Sequence, residues 1–168
     1  MDELSVFIET HGCQMNEYDS DRILNSLSAV PVKNPSNADI IIVNTCAIRE
    51  KANHKAVSAV GKYKNLKKSN PNLLIGMAGC VAQLYGNKLI KQIPHLDFVV
   101  GPRGIPKLMD MINNLKNSMD IKRVETSIDI EEVFEINPYH ETGKVNGFVS
   151  IQQGCNKKCA YCIVPTVR

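Results

Sequence analysis

Long apolar runs and a large net charge are both missing from this chain of 168 residues. Apolar runs such as residues 40–43 are far too short to cross a membrane and are typical of a buried strand. Residues 1–3 carry neither a basic region nor a long apolar stretch, so a secretory signal is not expected. Internal repeats, heptads and low-complexity tracts are absent as well. These absences favour a soluble, monomeric protein of the cytoplasm that binds no membrane.

The charge is distributed unevenly, although its sum of +3 is too small to argue for a nucleic-acid partner. Residues 49–68 hold seven lysines and arginines and one acid, whereas residues 120–135 hold six acids and two bases. Five lysines of the basic segment could contact phosphate groups: Lys55, Lys62, Lys64, Lys67 and Lys68. A solvated face of a long helix is the simpler interpretation, and we favour it.

The six cysteines are the most informative residues, because a reducing compartment disfavours disulfides and favours metal binding or redox chemistry. Three of them, Cys155, Cys159 and Cys162, follow the spacing Cys-x3-Cys-x2-Cys. Three thiols so close on one loop indicate ligands of one soft metal centre. Iron–sulfur clusters usually take four protein ligands, so three would leave one iron open to a small molecule. Zinc is the alternative, although structural zinc prefers paired Cys-x2-4-Cys spacing.

Strand and helix patterns alternate along residues 1–118, which predicts an α/β domain with a parallel sheet and alternating helices. Short apolar segments predict strands at 5–9, 39–43, 73–78 and 97–100. Four helices are predicted. The first has Asn16 as its N-cap, and the second covers about 48–68. The third passes through 84–93, and the fourth covers about 105–116.

The alternation stops after residue 118. Residues 119–144 are acidic and are predicted to be a linker with some extended structure. A new strand is predicted over 145–151, leading into the second cysteine loop, so residues 145–168 form the beginning of another domain.

The remaining cysteines, Cys13, Cys46 and Cys80, lie more than thirty residues apart. Each follows the carboxyl end of a predicted strand, and in a parallel sheet those ends lie along one edge. Three thiols could therefore meet there and hold one cluster. For one such cysteine a buried apolar role is the better interpretation, but for all three together we favour a metal site. His11 and His54 are candidates for a fourth ligand, although we interpret them as polar residues.

Glycine precedes a cysteine three times, at Gly12, Gly79 and Gly154. Glycine permits a tight turn and lets the backbone approach a bulky cofactor closely. Alone, each glycine would indicate no more than a turn. Together with the cysteines, they support the metal-site interpretation.

The motifs around these cysteines resemble those of a known family. The second triad, with Tyr161 before its last cysteine, is similar to the signature of radical S-adenosylmethionine enzymes. It is preceded by Gly-Cys-Gln-Met-Asn at 12–16, Asn-Thr-Cys-Ala-Ile-Arg-Glu-Lys-Ala at 44–52 and Gly-Cys-Val-Ala-Gln at 79–83. In this combination the whole chain resembles the methylthiotransferases. The motifs at 48–52 and 153–157 are most similar to the branch that modifies N6-isopentenyladenosine in tRNA.

The resemblance implies two four-iron, four-sulfur clusters. Cys155, Cys159 and Cys162 would hold the one whose open iron binds S-adenosylmethionine, with Tyr161 near the adenine. Its cleavage would give a 5′-deoxyadenosyl radical that removes hydrogen from C2 of an adenosine in the tRNA anticodon loop.

The same resemblance implies that Cys13, Cys46 and Cys80 hold an auxiliary cluster that presents or supplies the sulfur. A second S-adenosylmethionine would provide the methyl group, and a protein such as flavodoxin or ferredoxin would donate electrons. Arg49 and Glu50 are expected near this cluster, beside its ligands or in contact with substrate.

Family members continue through the rest of a partial barrel and a small RNA-binding domain. We therefore expect this chain to be an N-terminal fragment, with a truncated start of that barrel, that is inactive alone. Two alternatives stay open. The target could instead be threonylcarbamoyladenosine in tRNA or an aspartate of a ribosomal protein. The chain could also be a non-enzymatic α/β scaffold stabilised by a metal.

Overall fold

The computed structural model describes residues 3–48, 51–117, 123–127 and 150–168. Six strands within these residues form one sheet: β1 (Ser5–His11), β2 (Val30–Pro31), β3 (Ile40–Thr45), β4 (Leu74–Gly79), β5 (Phe98–Val100) and β6 (Val124–Glu125). The strands lie in the order β2-β1-β3-β4-β5-β6, and all neighbours pair in parallel. The predicted α/β fold with a parallel sheet is confirmed.

The same residues contain seven α-helices: α1 (Gln14–Ser26), α2 (Lys51–Lys62), α3 (Lys64–Ser69), α4 (Cys80–Tyr85), α5 (Asn87–Gln92), α6 (Leu108–Lys116) and α7 (Val164–Val167). Two short 3₁₀ turns, Pro35–Asn37 and Ile105–Lys107, complete the regular structure. None of the described helices is both long and apolar enough to span a bilayer.

Helices cover the sheet on both faces. This explains why the sequence of β3 is almost entirely apolar. Ile40 and Ile42 belong to the cluster formed with α1 and α6, whereas Ile41 and Val43 belong to the cluster formed with α2, α4 and α5. Every residue of β3 is buried, as expected for a parallel strand that packs against helices on both sides. Such a sheet presents its strand ends to ligands rather than its faces.

The helix predicted over 48–68 is wrong, because the chain forms two helices there. Helix α2 ends at Lys62 and α3 begins at Lys64. Gly61 is a poor helix former just before this break. Tyr63, at the break, is buried, and its hydroxyl donates a hydrogen bond to Glu9 of β1. This hydrogen bond ties the residue between the two helices to the sheet.

Two other helix predictions also need correction. Helix α4 already begins at Cys80, and Gly86 separates it from α5. Gly86 has a φ of 44°, a conformation that favours glycine and ends a helix. The predicted N-cap Asn16 is wrong, because Cys13 is the N-cap of α1. Asn16 lies three residues later and its Oδ1 accepts from the Cys13 amide at 3.3 Å, as in a capping box.

The predicted linker is described only at residues 123–127, where β6 extends the sheet by pairing with β5. The strand predicted at 145–151 lies mostly outside the described residues, and Ser150 and Ile151 belong to no strand. Helix α7, which the sequence did not predict, packs against α4. The domain limits and the truncated barrel therefore stay predictions.

Candidate metal centre

The pairing register places the ends of three adjacent strands side by side. His11 of β1 lies opposite Thr45 of β3, which in turn lies opposite Gly79 of β4. Cys46 and Cys80 are the residues that follow this row directly, and the third cysteine follows His11 by two positions. The fold thus brings Cys13, Cys46 and Cys80 to one edge of the sheet.

Contacts show how closely these loops approach one another. A Cβ atom on Gly12, the residue before Cys13, would lie only 2.9 Å from the Cβ atom of Cys46. Burial raises the pKa of the Cys80 thiol, and the nearby Cys46 adds to that rise. Each of the three cysteine loops is therefore adjacent to another.

The three thiols at this edge are donors that suit an iron–sulfur cluster or zinc. Cys13, Cys46 and Cys80 are free thiols, the soft ligands that such clusters take. Within the described ranges, no three His, Cys, Asp or Glu side chains lie close enough to hold one metal ion.

The two histidines considered as a fourth ligand have other surroundings. His11 Nε2 lies 2.8 Å from Glu9 Oε1, on the side of β1 where Tyr63 and Lys62 also contact that carboxylate. His54 is exposed on α2. The interpretation of both as polar residues agrees with these positions.

Gly79 makes the close approach of β3 and β4 possible at this edge. Its φ of 88° and ψ of −159° lie in a region that only glycine adopts readily. A Cβ atom there would lie 2.4 Å from the Thr45 carbonyl oxygen and 2.5 Å from Asn44 Oδ1. The glycine before Cys80 is therefore required by the backbone itself, in addition to permitting a cofactor nearby.

A buried polar network links the loops that carry Cys13 and Cys46. Asn16 and Asn44 are fully buried and hydrogen-bond to each other. Asn16 also donates to the Thr45 carbonyl at 3.0 Å, and Asn44 donates to Ser20 Oγ at 2.9 Å. Because buried amides are costly to leave unpaired, this network fixes α1 against the end of β3.

Sequence reasoning missed this network and a buried ion pair beside it. Asp19 of α1 lies 2.6 Å from Nη1 of Arg168, which follows α7. A signal was present in the sequence. Asn16, Asp19 and Ser20 share the helical spacing of the apolar Ile23, so polar side chains occupy the inward face of α1. Polar residues on such a face point to a buried network.

The second triad is described on one loop, but its side chains are less enclosed. Cys155 and Cys162 are partly buried and Cys159 is exposed. The Cys162 amide donates to the Cys159 carbonyl at 3.0 Å, which forms a turn between the two thiols. Tyr161 is 93% exposed. The case for a cluster here rests on the spacing of the cysteines.

The lysines of the basic segment are largely solvated, in line with the simpler interpretation. Lys55, Lys64 and Lys68 are exposed. Lys62 pairs with Glu9 at 3.0 Å, and Lys67 pairs with Asp97 at 2.8 Å. Arg49 and Glu50, which were expected near the cluster, lie outside the described residues.

The structure defines a parallel α/β domain with three free cysteines at the carboxyl edge of its sheet. Residues 5–101 match the model of a family described as "Uncharacterized protein family UPF0004". This match covers more than half of the chain, and the chain belongs to that family.

Curated relatives give the family a more specific context. The chain is 42% identical to the tRNA-2-methylthio-N(6)-dimethylallyladenosine synthase of Cellvibrio japonicus, over 97% of this chain and 36% of the relative. Synthases with the same name from Bordetella pertussis and Methylobacillus flagellatus are 41% and 42% identical, over 97% of this chain and 37% and 38% of their own lengths. The predicted relationship to methylthiotransferases is confirmed. The chain spans little more than a third of these relatives.

Proposed function

We propose that this chain is the metal-binding N-terminal part of a methylthiotransferase that modifies C2 of N6-isopentenyladenosine in tRNA. The observation that carries the proposal is the convergence of Cys13, Cys46 and Cys80 at the ends of three adjacent parallel strands. Relatives that are 42% and 41% identical over 97% of this chain are named for the product of that modification, which supports the proposal.

In this proposal Cys13, Cys46 and Cys80 hold an auxiliary four-iron cluster, and Cys155, Cys159 and Cys162 hold a second cluster together with S-adenosylmethionine. When bound, these groups supply the radical chemistry, the sulfur and the methyl group.

The protein's own contribution is ligation and positioning. The Asn16–Asn44 network fixes two of the three loops relative to each other before any metal binds. Gly12 and Gly79 keep side chains out of the space between the strand ends, where a Cβ atom would collide with neighbouring atoms. Burial of Cys46 and Cys80 excludes water from their thiols.

Anaerobic reconstitution of the chain with iron and sulfide tests the metal assignment. We expect about four irons for each of the two three-cysteine sets and the absorption and paramagnetic resonance of four-iron clusters. Replacing Cys13, Cys46 and Cys80 by alanine should remove the first cluster only. The matched triple replacement at 155, 159 and 162 should remove the second only. A colourless protein that binds one zinc would instead support the metal-stabilised scaffold.

A chimaera tests the activity. Exchanging the corresponding third of the Cellvibrio japonicus synthase for this chain should preserve formation of 2-methylthio-N6-dimethylallyladenosine, measured by mass spectrometry of digested tRNA. A chimaera that binds both clusters but modifies a different nucleoside, or a ribosomal-protein aspartate, would refute the proposed target. The 168-residue chain alone should show no turnover.

A further inference from the structure

The helices on one side of the sheet carry lysines and no acidic residue. Helices α2, α3, α4 and α5 form this basic layer and pack on one hydrophobic cluster, whereas α1 and α6 pack on the other. Residues 51–96, which include the whole basic layer, contain eight lysines and neither aspartate nor glutamate. By contrast, α1 has three acids and one arginine, and α6 has one aspartate and one lysine. The two helix layers therefore differ strongly in charge.

Most lysines of the basic layer are not engaged by an acid. Lys62 pairs with Glu9, and Lys67 pairs with Asp97. Five others are exposed and form no ion pair with another described residue: Lys55, Lys64, Lys68, Lys88 and Lys91. Exposure alone is compatible with a solvated face, the simpler interpretation of residues 49–68. Helix α5 lies outside that segment, however, so two separate parts of the chain supply unpaired positive charge to the same layer.

The spacing of these lysines does not favour stability. Lys64 and Lys68 are four residues apart on α3, and Lys88 and Lys91 are three residues apart on α5. Side chains at these spacings are neighbours on a helix, and like charges there repel each other. A glutamate at one position of each pair would replace the repulsion by attraction. An anion that approaches from outside would have the same effect.

The side chains of the basic layer favour one kind of anionic partner. Among its described side chains, the large apolar one that is exposed is Leu84, at 36%. Protein interfaces are centred on aromatic or apolar anchors, and membrane-binding helices need a broad apolar face. Single-stranded RNA binds to aromatic side chains that stack on its bases. A base-paired RNA stem displays phosphates on its outside and needs none of these features.

The basic layer begins at the edge of the sheet that carries the cysteines. Helix α4 starts at Cys80, and α2 starts five residues after Cys46. Because the chain must return to the opposite edge before β4, α2 leads away from the cysteines. It has 12 residues and is roughly 18 Å long. A nucleoside at the candidate metal centre could therefore have its adjoining stem against this layer.

We propose that the basic layer binds the phosphate backbone of a base-paired RNA stem next to the nucleoside that is modified. The contacts are made by the ammonium groups of the five exposed lysines. Lysine is a point charge on a flexible stem, so these contacts position the RNA without reading its sequence. The inference rests on the proposed function, which makes a tRNA the substrate. It adds an RNA-binding surface to the domain that carries the first three cysteines.

Binding of the reconstituted chain to a fluorescein-labelled RNA hairpin tests the proposal, with anisotropy measured over a range of salt concentrations. The double variants Lys64→Gln/Lys68→Gln and Lys88→Gln/Lys91→Gln each remove two charges from one helix. Each should reduce the steepness of log Kd against log salt concentration by roughly 2. At about 0.1 M salt, binding should weaken about 10- to 60-fold. Iron content and urea unfolding should equal those of the parent, because the replaced side chains are exposed.

The matched control is Lys33→Gln/Lys116→Gln, which removes the same charge at exposed positions outside the basic layer. It should keep the salt dependence of the parent. An equal loss of affinity in the control and in the two double variants would mean that net charge alone attracts RNA, and the proposal would be wrong. Phosphatidylserine vesicles that bind the chain more tightly than the hairpin does, through the same lysines, would identify a membrane surface instead.

The chimaera with the Cellvibrio japonicus synthase separates this inference from the function on which it rests. Either double variant should raise the KM for tRNA by a similar factor and leave kcat unchanged. If the chimaera forms the product and the variants keep its KM, the basic layer does not bind the substrate and the proposed function still stands. If it forms no product although the hairpin binds through these lysines, the proposed function fails and the RNA-binding surface remains.

Discussion

Asn16 and Asn44 exchange two hydrogen bonds beside the candidate metal centre. Asn16 Nδ2 donates to Asn44 Oδ1 at 3.1 Å, and Asn44 Nδ2 donates to the Asn16 carbonyl at 2.7 Å. The first residue lies three positions after Cys13 and the second two positions before Cys46. One buried amide pair therefore sets the relative positions of two cysteine loops.

Replacing Asn44 by alanine should destabilise both the fold and the metal site. Buried donors and acceptors on Asn16 and Ser20 would lose their partners, at a cost of about 2–3 kcal/mol in the free energy of unfolding. Urea unfolding of the apo chain measures that loss, and iron content after reconstitution should fall as well. Asn113→Ala, at an exposed position of α6, is the control and should change neither quantity. An Asn44→Ala chain of normal stability would show that the network is dispensable.

Replacing Gly79 by alanine should cost roughly 2–5 kcal/mol, because the new Cβ atom meets the Thr45 carbonyl in a backbone conformation that only glycine adopts readily. The matched control is Gly61→Ala. A Cβ atom on Gly61 would meet nothing within 4 Å, and alanine in the helix should stabilise the chain by about 0.5–1 kcal/mol. Thermal unfolding of both variants checks the opposite signs. Equal effects would contradict the backbone geometry at Gly79.

Replacing Gly12 by alanine should affect metal loading more than Gly61→Ala does. The added Cβ atom would lie 2.2 Å from Asn16 Oδ1 and 2.9 Å from the Cβ atom of Cys46. One of these neighbours must move, and either movement displaces a cysteine loop. The expected result is a lower iron content of the first site, measured in the chain that lacks the second triad. Full loading would mean that the loop at Gly12 adapts without moving Cys46.

The Glu9 cluster should make stability depend on pH below neutrality. Burial alone would raise the pKa of Glu9, but hydrogen bonds from Tyr63, Lys62 and His11 lower it below its usual value. Because the pKa of Glu9 is lower in the folded protein than in the unfolded chain, where it is near 4.5, ionised Glu9 stabilises the fold at a pH above 4.5. This stabilisation is lost as the pH falls through the pKa of Glu9 in the folded protein. Glu9→Gln should therefore cost about 1–2 kcal/mol at pH 7.

As the pH is lowered, the free energy of unfolding of Glu9→Gln should fall less than that of the parent. The two free energies should therefore converge as Glu9 becomes protonated in the parent. Urea unfolding between pH 3 and pH 7 measures the difference. Glu3→Gln, at an exposed residue, is the control and should parallel the parent throughout. A constant difference between Glu9→Gln and the parent over this range would exclude a titrating Glu9.

The sequence was sufficient to predict four of the six described strands, β1, β3, β4 and β5, and that three cysteines follow strand ends. Both predictions depend on local apolar patterns, which a parallel sheet covered on two faces makes strong. The helix interruptions at Tyr63 and Gly86 were harder to predict from the sequence. Tyr63 is held by a tertiary hydrogen bond to Glu9, and the φ of Gly86 is set by its tertiary context as well as by the residue type.

The contact between Asp19 and Arg168 could not be derived from spacing at all. The two residues are 149 positions apart, and neither is part of a cysteine motif. Charged residues are commonly exposed, so composition argues against burying either of them. Only the docking of α7 on α4 brings Arg168 to the end of the sheet.

The three cysteines of the first set differ in depth, since Cys13 is exposed whereas Cys46 and Cys80 are buried. Because of this difference, the three thiols are reached from solvent from the side of Cys13. In the proposed site an incoming metal would meet the outermost thiol before the inner two. Within this set Cys13 is also the thiol that an oxidant would reach first, so that oxidation of one residue would block entry while the two inner thiols are still intact.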